Sequence, residues 1–238
     1  MRLPEEEKEI TNFKRQIIST ILHEFRNPLS VILSSVQIID NLYDSLDDMK
    51  KKNIFNRIYD SIDFINSVLN NIKIINIEDK NQILLKSTSI NIEQFCNDIA
   101  DELKCLYPEK NIKTQFNFCK EDYYIDKNLI RQVLTNLLRN SIKYSPSIGS
   151  DISFCGKSTD DNHLEFIIKD NGIGIREEDM EYIFEPFYRA SNITGIKGMG
   201  LGLAIVKKCV EVLNGDIQIE SKFEIGTTIR VNIPENIA

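Results

Sequence analysis

Apolar residues recur with the spacing of an α-helix through the first third of the chain. Between about Glu9 and Tyr43 they lie three or four positions apart, at Ile18, Ile21, Leu22, Phe25, Leu29, Ile32, Val36 and Ile39. A second run with the same period comprises Ile54, Ile58, Ile62, Ile65, Leu69 and Ile72. These patterns predict two amphipathic helices, and the polar stretch DSLDDMKKK at 44–52 predicts the turn of a helical hairpin between them.

A hairpin of two helices buries too little apolar surface to be stable alone. Each predicted helix carries one broad apolar stripe, and pairing with a second copy is the economical way to cover both stripes. We therefore expect a homodimer in which two hairpins form a four-helix bundle across a twofold axis. Ile58 and Ile65 are the residues expected to hold the two copies together.

The pattern changes after NIEDKNQ at 76–82, so we place a domain boundary near residue 80, between domains at 1–80 and 81–238. Short apolar runs predict strands at 112–118, 151–157, 163–170, 216–221 and 227–233. Helical spacing predicts helices at 91–105, 127–144 and 201–213. Strands and helices do not alternate regularly, so we expect an α+β domain with a layer of helices on a mixed sheet rather than a doubly wound fold.

Composition narrows the class of protein. The 238 residues are 42% hydrophobic with a formal net charge of −7, and no Lys/Arg stripe interrupts the mixed surface, which argues against nucleic acid as a partner. No apolar run approaches the roughly 18 residues needed to span a bilayer, and the opening MRLPEEEKEI is too charged for a signal peptide. We expect a cytoplasmic segment without direct membrane contact, and the charged EEEKEI run favours continuation upstream in a longer parent protein. The five cysteines are scattered singly, which predicts buried free thiols.

The stretch ILHEFRNPLSVI at 21–32 contains one of the two histidines of the chain and a proline inside a helical pattern. With Phe25 at the centre of the buried stripe, His23 lies about 160° away on an ideal helix and faces solvent. Asn27 lies one turn further on the same face, and Glu24 is the neighbour of the histidine. Pro28 cannot donate to the carbonyl of Glu24, so we expect a bend there.

A second group of polar residues lies on the predicted helix 127–144. Asn136, Asn140 and Lys143 fall within roughly 60° of arc. Asparagine is a mediocre helix former, and two in register need either solvent or a partner. A hard cation with phosphate oxygens would satisfy both amides, although a solvated helix face would show the same pattern.

Two glycine-rich segments flank a polar loop. KDNGIGI at 169–175 suits a turn where the backbone approaches a flat ligand, although an ordinary loop could have this sequence. Gly198, Gly200 and Gly202 precede an amphipathic helix whose exposed amides attract phosphate. Between them, IFEPFYRASNITGIK at 183–197 predicts a mobile lid that spans 191–197.

In this order the motifs resemble the cytoplasmic core of bacterial sensor histidine kinases of two-component systems. HEFRNPL resembles the H box, NLLRNSIKYSP the N box, DNGIGI the first glycine box, IFEPFYRA the F box and GMGLGLAI the second glycine box. GTT at 226–228 resembles the last box. The resemblance implies an ATP-binding domain of the gyrase, chaperone and histidine kinase type behind a dimeric helical bundle.

The resemblance also implies roles for individual residues. His23 would be the nucleophile, Glu24 its proton acceptor, and Arg189 would steady the lid or the transferred phosphoryl group. Asp170 would accept from the adenine amino group, and Asn140, helped by Asn136, would hold Mg²⁺ on the ATP phosphates. The remaining residues that the resemblance assigns to ATP are Lys143, Tyr144, Gly172, Gly174, Phe187, Gly198, Gly200, Leu201, Gly202 and Thr227.

The activity implied is that of a protein-histidine kinase. It would phosphorylate itself at His23 and pass the phosphoryl group to an aspartate of a response regulator receiver domain. The E-x-x-N pattern from Glu24 to Asn27 also resembles a phosphatase motif, in which Asn27 would orient a water molecule toward the phosphoaspartate of the regulator. Many family members have Thr at this position, so the strength of the phosphatase activity stays open.

Two alternatives remain at this point. The first is a nucleotide-driven conformational ATPase related to gyrase, mismatch-repair proteins and chaperones, which leaves His23 unexplained. The second is a dimeric scaffold that binds ATP without transferring phosphate, against which the intact His23, Glu24 and Asn140 argue.

Overall fold

The computed structural model describes residues 3–75, 85–146, 149–159, 162–193, 196 and 198–235, apart from the side chains of 3–18, 20, 23, 44 and 75. Contacts divide the chain into two compact units, Met1–Lys73 and Ile74–Ala238. The domain boundary predicted near residue 80 lies outside the described residues and stays a prediction.

The first unit is the predicted helical hairpin. Helix α1 spans Leu3–Leu42 and continues through Pro28, and helix α2 spans Asp48–Ile75. A 3-10 turn at Tyr43–Ser45 follows α1. The Asp47 carboxylate accepts the Lys50 backbone N–H at 2.7 Å, and such a cap favours helix from the next residue. The connection is therefore shorter than the predicted turn at 44–52.

The apolar stripe of each helix divides into an inner and an outer row. The inner row is buried in a single copy and repeats every seven residues, with Pro28 and Ser35 on α1 and Ile54, Ser61 and Val68 on α2. The outer row lies one position further along and is exposed, with Leu22, Leu29 and Val36 on α1 and Phe55, Ile62 and Leu69 on α2. Ile58 and Ile65, which we expected between two copies, are half-buried and alternate with the inner row of α2.

Within its described residues, the second unit combines three α-helices with seven strands. The strands are β1 (Ser87–Asn91), β2 (Asn111–Asn117), β3 (Asp122–Asp126), β4 (Asp151–Ser158), β5 (His163–Asp170), β6 (Asp216–Lys222) and β7 (Gly226–Pro234). The helices are α3 (Ile92–Leu106), α4 (Lys127–Tyr144) and α5 (Gly202–Val212). All five predicted strands and all three predicted helices of this unit are present, with ends shifted by at most one residue.

The main sheet has the strand order β2-β4-β5-β7-β6 and is mixed, because β2 and β4 are parallel whereas the other neighbours are antiparallel. Phe154, Phe166 and Val231 of the sheet lie in one core with the buried residues of α3, α4 and α5. The helices therefore form one layer on the sheet, as predicted for an α+β domain.

Sequence reasoning missed the small sheet of β1 and β3. These strands pair antiparallel from Ser87–Asp126 to Asn91–Asp122. β1 reads STSIN, with no fully buried residue, so it gives no apolar alternation. Asp126 fixes its position, because the Asp126 carboxylate caps α4 and accepts the Lys86 backbone N–H at 2.8 Å.

The cysteines are only in part as predicted. All five are free, but Cys105 and Cys119 are exposed and Cys155 is half-buried, so the expectation of buried thiols holds for Cys96 and Cys209 alone. In the described parts of the chain, no helix has both the length and the hydropathy needed to cross a membrane.

Candidate active site

Asp170, the last residue of β5, holds together three elements around the predicted adenine position. Its carboxylate accepts hydrogen bonds from the Ser141 hydroxyl (3.0 Å), the Gly172 N–H (2.9 Å) and the Thr227 N–H (3.3 Å). These donors come from α4, the loop after β5, and β7. Burial raises the pKa of Asp170, and the three hydrogen bonds offset part of that rise. These hydrogen bonds therefore fix the orientation of the half-buried Asp170 carboxylate.

The loop after Asp170 needs glycine because it passes very close to other backbone. A Cβ on Gly172 would lie 2.7 Å from the Tyr144 carbonyl oxygen and 2.8 Å from the Asp170 carboxylate. Gly174 has φ +63° and packs against the Lys222 carbonyl group. Because a side chain would collide at either position, these glycines hold the loop against α4 and the β6–β7 turn.

The polar stripe of α4 faces the start of α5. A Cβ on Gly202 would lie 3.3 Å from the Asn140 amide nitrogen and 3.5 Å from the Asn136 Oδ1. The Asn136 amide donates to the Gln132 carbonyl oxygen at 2.8 Å. This bond leaves its Oδ1 turned toward α5. Two carboxamides and the first backbone amides of α5 thus border one space.

The start of α5 is suited to an anion. No side chain caps this end, and its first turn contains no acidic residue, so its free N–H groups and the helix dipole attract negative charge. The Lys143 ammonium occupies the space that a Cβ on Gly198 would take, and it donates to the Tyr144 hydroxyl at 3.0 Å. A cation, a helix N-terminus and two amides therefore converge, which fits the phosphates of a nucleotide.

No three His, Cys, Asp or Glu side chains converge as metal ligands within the described ranges. A magnesium ion at this site would be held by amide oxygens together with phosphate oxygens, which is the hard oxygen environment that Mg²⁺ prefers. The Asn136 and Asn140 side chains fit that requirement.

The F box is tied to the second glycine box by its backbone. Phe187 has φ +67°, and its N–H donates to the Gly200 carbonyl oxygen at 2.9 Å. Leu201 is buried in the core next to this bond. Arg189 is exposed, and its guanidinium donates to the Ile196 carbonyl oxygen at 2.5 Å. In this structure Arg189 therefore spans the base of the predicted lid.

On helix α1, Glu24 is half-buried, Asn27 is exposed and Pro28 is buried. Asn27 thus faces solvent, as its position on the predicted helix requires. The side chain of His23 lies outside the described part of the chain, so its predicted orientation stays a prediction. The predicted bend at Pro28 also stays a prediction.

Sequence reasoning missed three residues that support these loops. Ser141 donates to Asp170. Asn171 links two segments, since its amide oxygen accepts the Asp151 N–H at 3.0 Å and its amide nitrogen donates to the Gly149 carbonyl oxygen. Asp179 is buried and accepts from two residues of the F box and lid. The only signal in the sequence was an acid at 179 within a polar stretch, and burial is what sets it apart.

Two family models match the chain. The model described as His Kinase A (phospho-acceptor) domain matches residues 13–76. The model described as Histidine kinase-, DNA gyrase B-, and HSP90-like ATPase matches residues 125–237. The chain belongs to the sensor histidine kinases. This membership confirms the resemblance, the fold class and the prediction of ATP as the nucleotide.

Named sensor histidine kinases are similar over nearly the whole chain. The adaptive-response sensory kinase SasA of Gloeothece citriformis is 28% identical over 98% of this chain and 61% of SasA. The sensor histidine kinase WalK of Bacillus subtilis is 30% identical over 96% of this chain and 38% of WalK. The chain therefore spans less than two thirds of the length of either relative.

Among solved structures, histidine kinase ThkA in complex with the response regulator protein TrrA has the same fold. The TM-score is 0.59 at 23% identity, and the match covers 99% of this chain and 67% of the ThkA chain.

Proposed function

We propose that this chain phosphorylates its own His23 from ATP and then transfers the phosphoryl group to an aspartate of a response regulator receiver domain. The observation that carries the proposal is the match of the phospho-acceptor model across His23 together with a site that suits a nucleotide in the ATPase domain. The proposed domains are 1–80 for dimerisation and phosphotransfer and 81–238 for ATP binding.

The first reaction is an in-line displacement at the terminal phosphorus of ATP. A nitrogen of the neutral His23 imidazole forms the new N–P bond while the bond to the ADP oxygen breaks. Glu24 accepts the proton that the ring gives up. Asn140, Asn136 and Lys143 hold the phosphates, and Asp170 holds the adenine amino group. Magnesium bound with these phosphates would neutralise charge that develops on the leaving oxygen.

The second reaction passes the phosphoryl group from His23 to a partner carboxylate. The ThkA structure, a complex with a response regulator, supports a receiver domain as the partner. SasA and WalK are named as kinases, which favours this proposal over a conformational ATPase or a silent scaffold.

The outer row of the hairpin supports a homodimer. Seven-residue repeats of apolar residues are exposed on both helices of a single copy, with Leu29 55% and Leu69 52% accessible. Apolar residues repeated every seven positions are typical of helices that pack against other helices. Two copies that bring these rows together form the predicted four-helix bundle.

Incubation with γ-labelled ATP and magnesium tests the proposal. Wild-type protein should acquire acid-labile label, and His23→Ala should lose the label while ATP binding stays nearly unchanged, since the nucleotide residues lie in the other unit. Label that survives in His23→Ala, or that is stable in acid, would contradict His23 as the acceptor. Labelled protein should then donate phosphate to a purified receiver domain.

A phosphatase activity toward the phosphorylated regulator is a second proposal. Asn27 is exposed one turn after His23, and a carboxamide can hold a water molecule through one donor and one acceptor.

A further inference from the structure

Asp179 is a buried carboxylate outside the set of residues assigned to ATP. It ends the 3-10 turn Glu177–Asp179 and is 3% exposed. The Tyr188 hydroxyl donates to its Oδ1 at 2.6 Å, and the N–H and hydroxyl of Ser191 donate to its Oδ2 at 3.1 and 3.0 Å. A buried carboxylate needs such donors, because burial removes the hydration of its charge.

The hydrogen bonds from Tyr188 and Ser191 stabilise the buried negative charge of Asp179. Burial acts to raise the pKa of Asp179, but the hydrogen bonds from Tyr188 and Ser191 outweigh burial and hold the pKa below its usual range. The same contact raises the pKa of Tyr188 to about 12. The proton therefore stays on the tyrosine, and the O–H···O⁻ bond is of the strong, charge-assisted type.

The two residues that Asp179 holds lie on either side of Arg189. Tyr188 precedes Arg189 and Ser191 follows two positions later, so one carboxylate fixes the backbone before and after the guanidinium. The adjacent Asn192 donates to the Gly174 carbonyl oxygen at 3.0 Å. The segment 188–192 is thereby joined to the turn and glycine loop that follow Asp170.

We infer that Asp179 is a positioning residue that fixes Arg189 relative to the nucleotide site by holding Tyr188 and Ser191. The inference rests on the proposed ATP reaction and on the role that the family resemblance implies for Arg189, which is to steady the lid or the transferred phosphoryl group. Asp179 contacts the first residue of the lid, Ser191, but is not among the residues assigned to ATP. Its effect on the reaction should therefore be transmitted through Arg189.

Asp179→Asn tests this role. Asparagine is uncharged and has only one oxygen that can accept these three hydrogen bonds. Segment 188–192 should therefore be held less firmly. We expect kcat for autophosphorylation to fall about 10-fold or more, because small misplacements at a reacting centre can cost up to about 100-fold. Glu177→Gln is the matched control, since Glu177 lies in the same turn but is exposed. Tyr188→Phe removes one donor and provides a milder variant should Asp179→Asn melt at a much lower temperature.

A double-mutant cycle with Arg189→Ala separates positioning from general structural support. If Asp179 acts through Arg189, Asp179→Asn should change kcat by less than about two-fold in the Arg189→Ala background. Full, additive losses in that background, or no loss in either Asp179→Asn or Tyr188→Phe, would overturn the inference. Absence of label on wild-type His23 would instead refute the proposed function. In that case the same double-mutant cycle, measured on the Kd for ATP, tests whether Asp179 acts through Arg189.

Discussion

Replacement of Asp170 by asparagine probes the predicted adenine contact with little change in shape. Asparagine has the size of aspartate but carries no charge. Its amide oxygen can still accept from Gly172 and Thr227, and the Ser141 hydroxyl can rotate to accept from the new amide nitrogen. We therefore expect the domain to fold, and thermal unfolding should confirm that its stability changes little.

We expect the substitution to weaken ATP binding rather than folding. Hydrogen bonds to charged groups contribute about 1.5 to 3 kcal/mol, so removing an ionised acceptor from the adenine amino group should weaken ATP binding about 10- to 150-fold. Calorimetric titration with ATP at pH 8 gives the Kd of both proteins.

Asp151→Asn is the matched control for this experiment. Asp151 lies on β4, beside β5 in the same sheet, but its side chain is 60% exposed and pairs with Lys113. This variant should bind ATP like the wild type. An unchanged Kd in a folded Asp170→Asn protein would remove Asp170 from the adenine site.

Three further predictions follow from the described residues. Because burial raises the pKa of Asp170, ATP affinity should fall as pH drops from 8 toward 5, starting at a higher pH than for an ordinary aspartate; the fall should be smaller in Asp170→Asn, where the phosphates of ATP still titrate but residue 170 does not. Leu29→Asp should convert the dimer to a folded monomer in sedimentation experiments, since Leu29 belongs to the outer row and is 55% exposed in one copy; a stable dimer would place the interface elsewhere. Asn27→Ala should retain autophosphorylation within a few-fold but lower the phosphatase rate about 100-fold, because the attacking water is no longer oriented. Pro28→Ala should perturb both reactions. If Asn27→Ala lowered both rates equally, Asn27 would instead have a structural role in supporting His23.

Periodicity in the sequence predicted the two helices of the hairpin but not which of their apolar residues are buried in a single copy. A stripe that recurs every three or four residues is wide enough to serve two neighbours at once. In a single copy the row of Ile54, Ser61 and Val68 is buried, whereas the row of Phe55, Ile62 and Leu69 is exposed. Ser35 and Ser61 belong to the buried row although neither is apolar, so hydropathy alone could not place that row.

In the ATPase domain, strands with a buried face were predictable because their side chains alternate between core and solvent. β5 is an example, with Leu164, Phe166 and Ile168 buried in succession. β1 was not predictable, because its partner β3 and the Asp126 carboxylate determine its conformation. Asp179 shows the same limit for single residues, since its donors lie 9 and 12 positions away and no local pattern joins them.

The candidate site was most predictable where it shares an element with the core. On α4, the buried residues Leu134, Leu137 and Leu138 fix the rotation of the helix about its axis. Once that rotation is fixed, the 100° step between residues places Asn136 and Asn140 on the side that faces Gly202. Rotating α4 by one residue would bury an asparagine side chain without a hydrogen-bond partner and expose a leucine. Both changes would cost free energy. The F-box segment has no comparable buried stripe, so its geometry depends on distant partners such as Asp179 and Gly200, and only the structure reveals them.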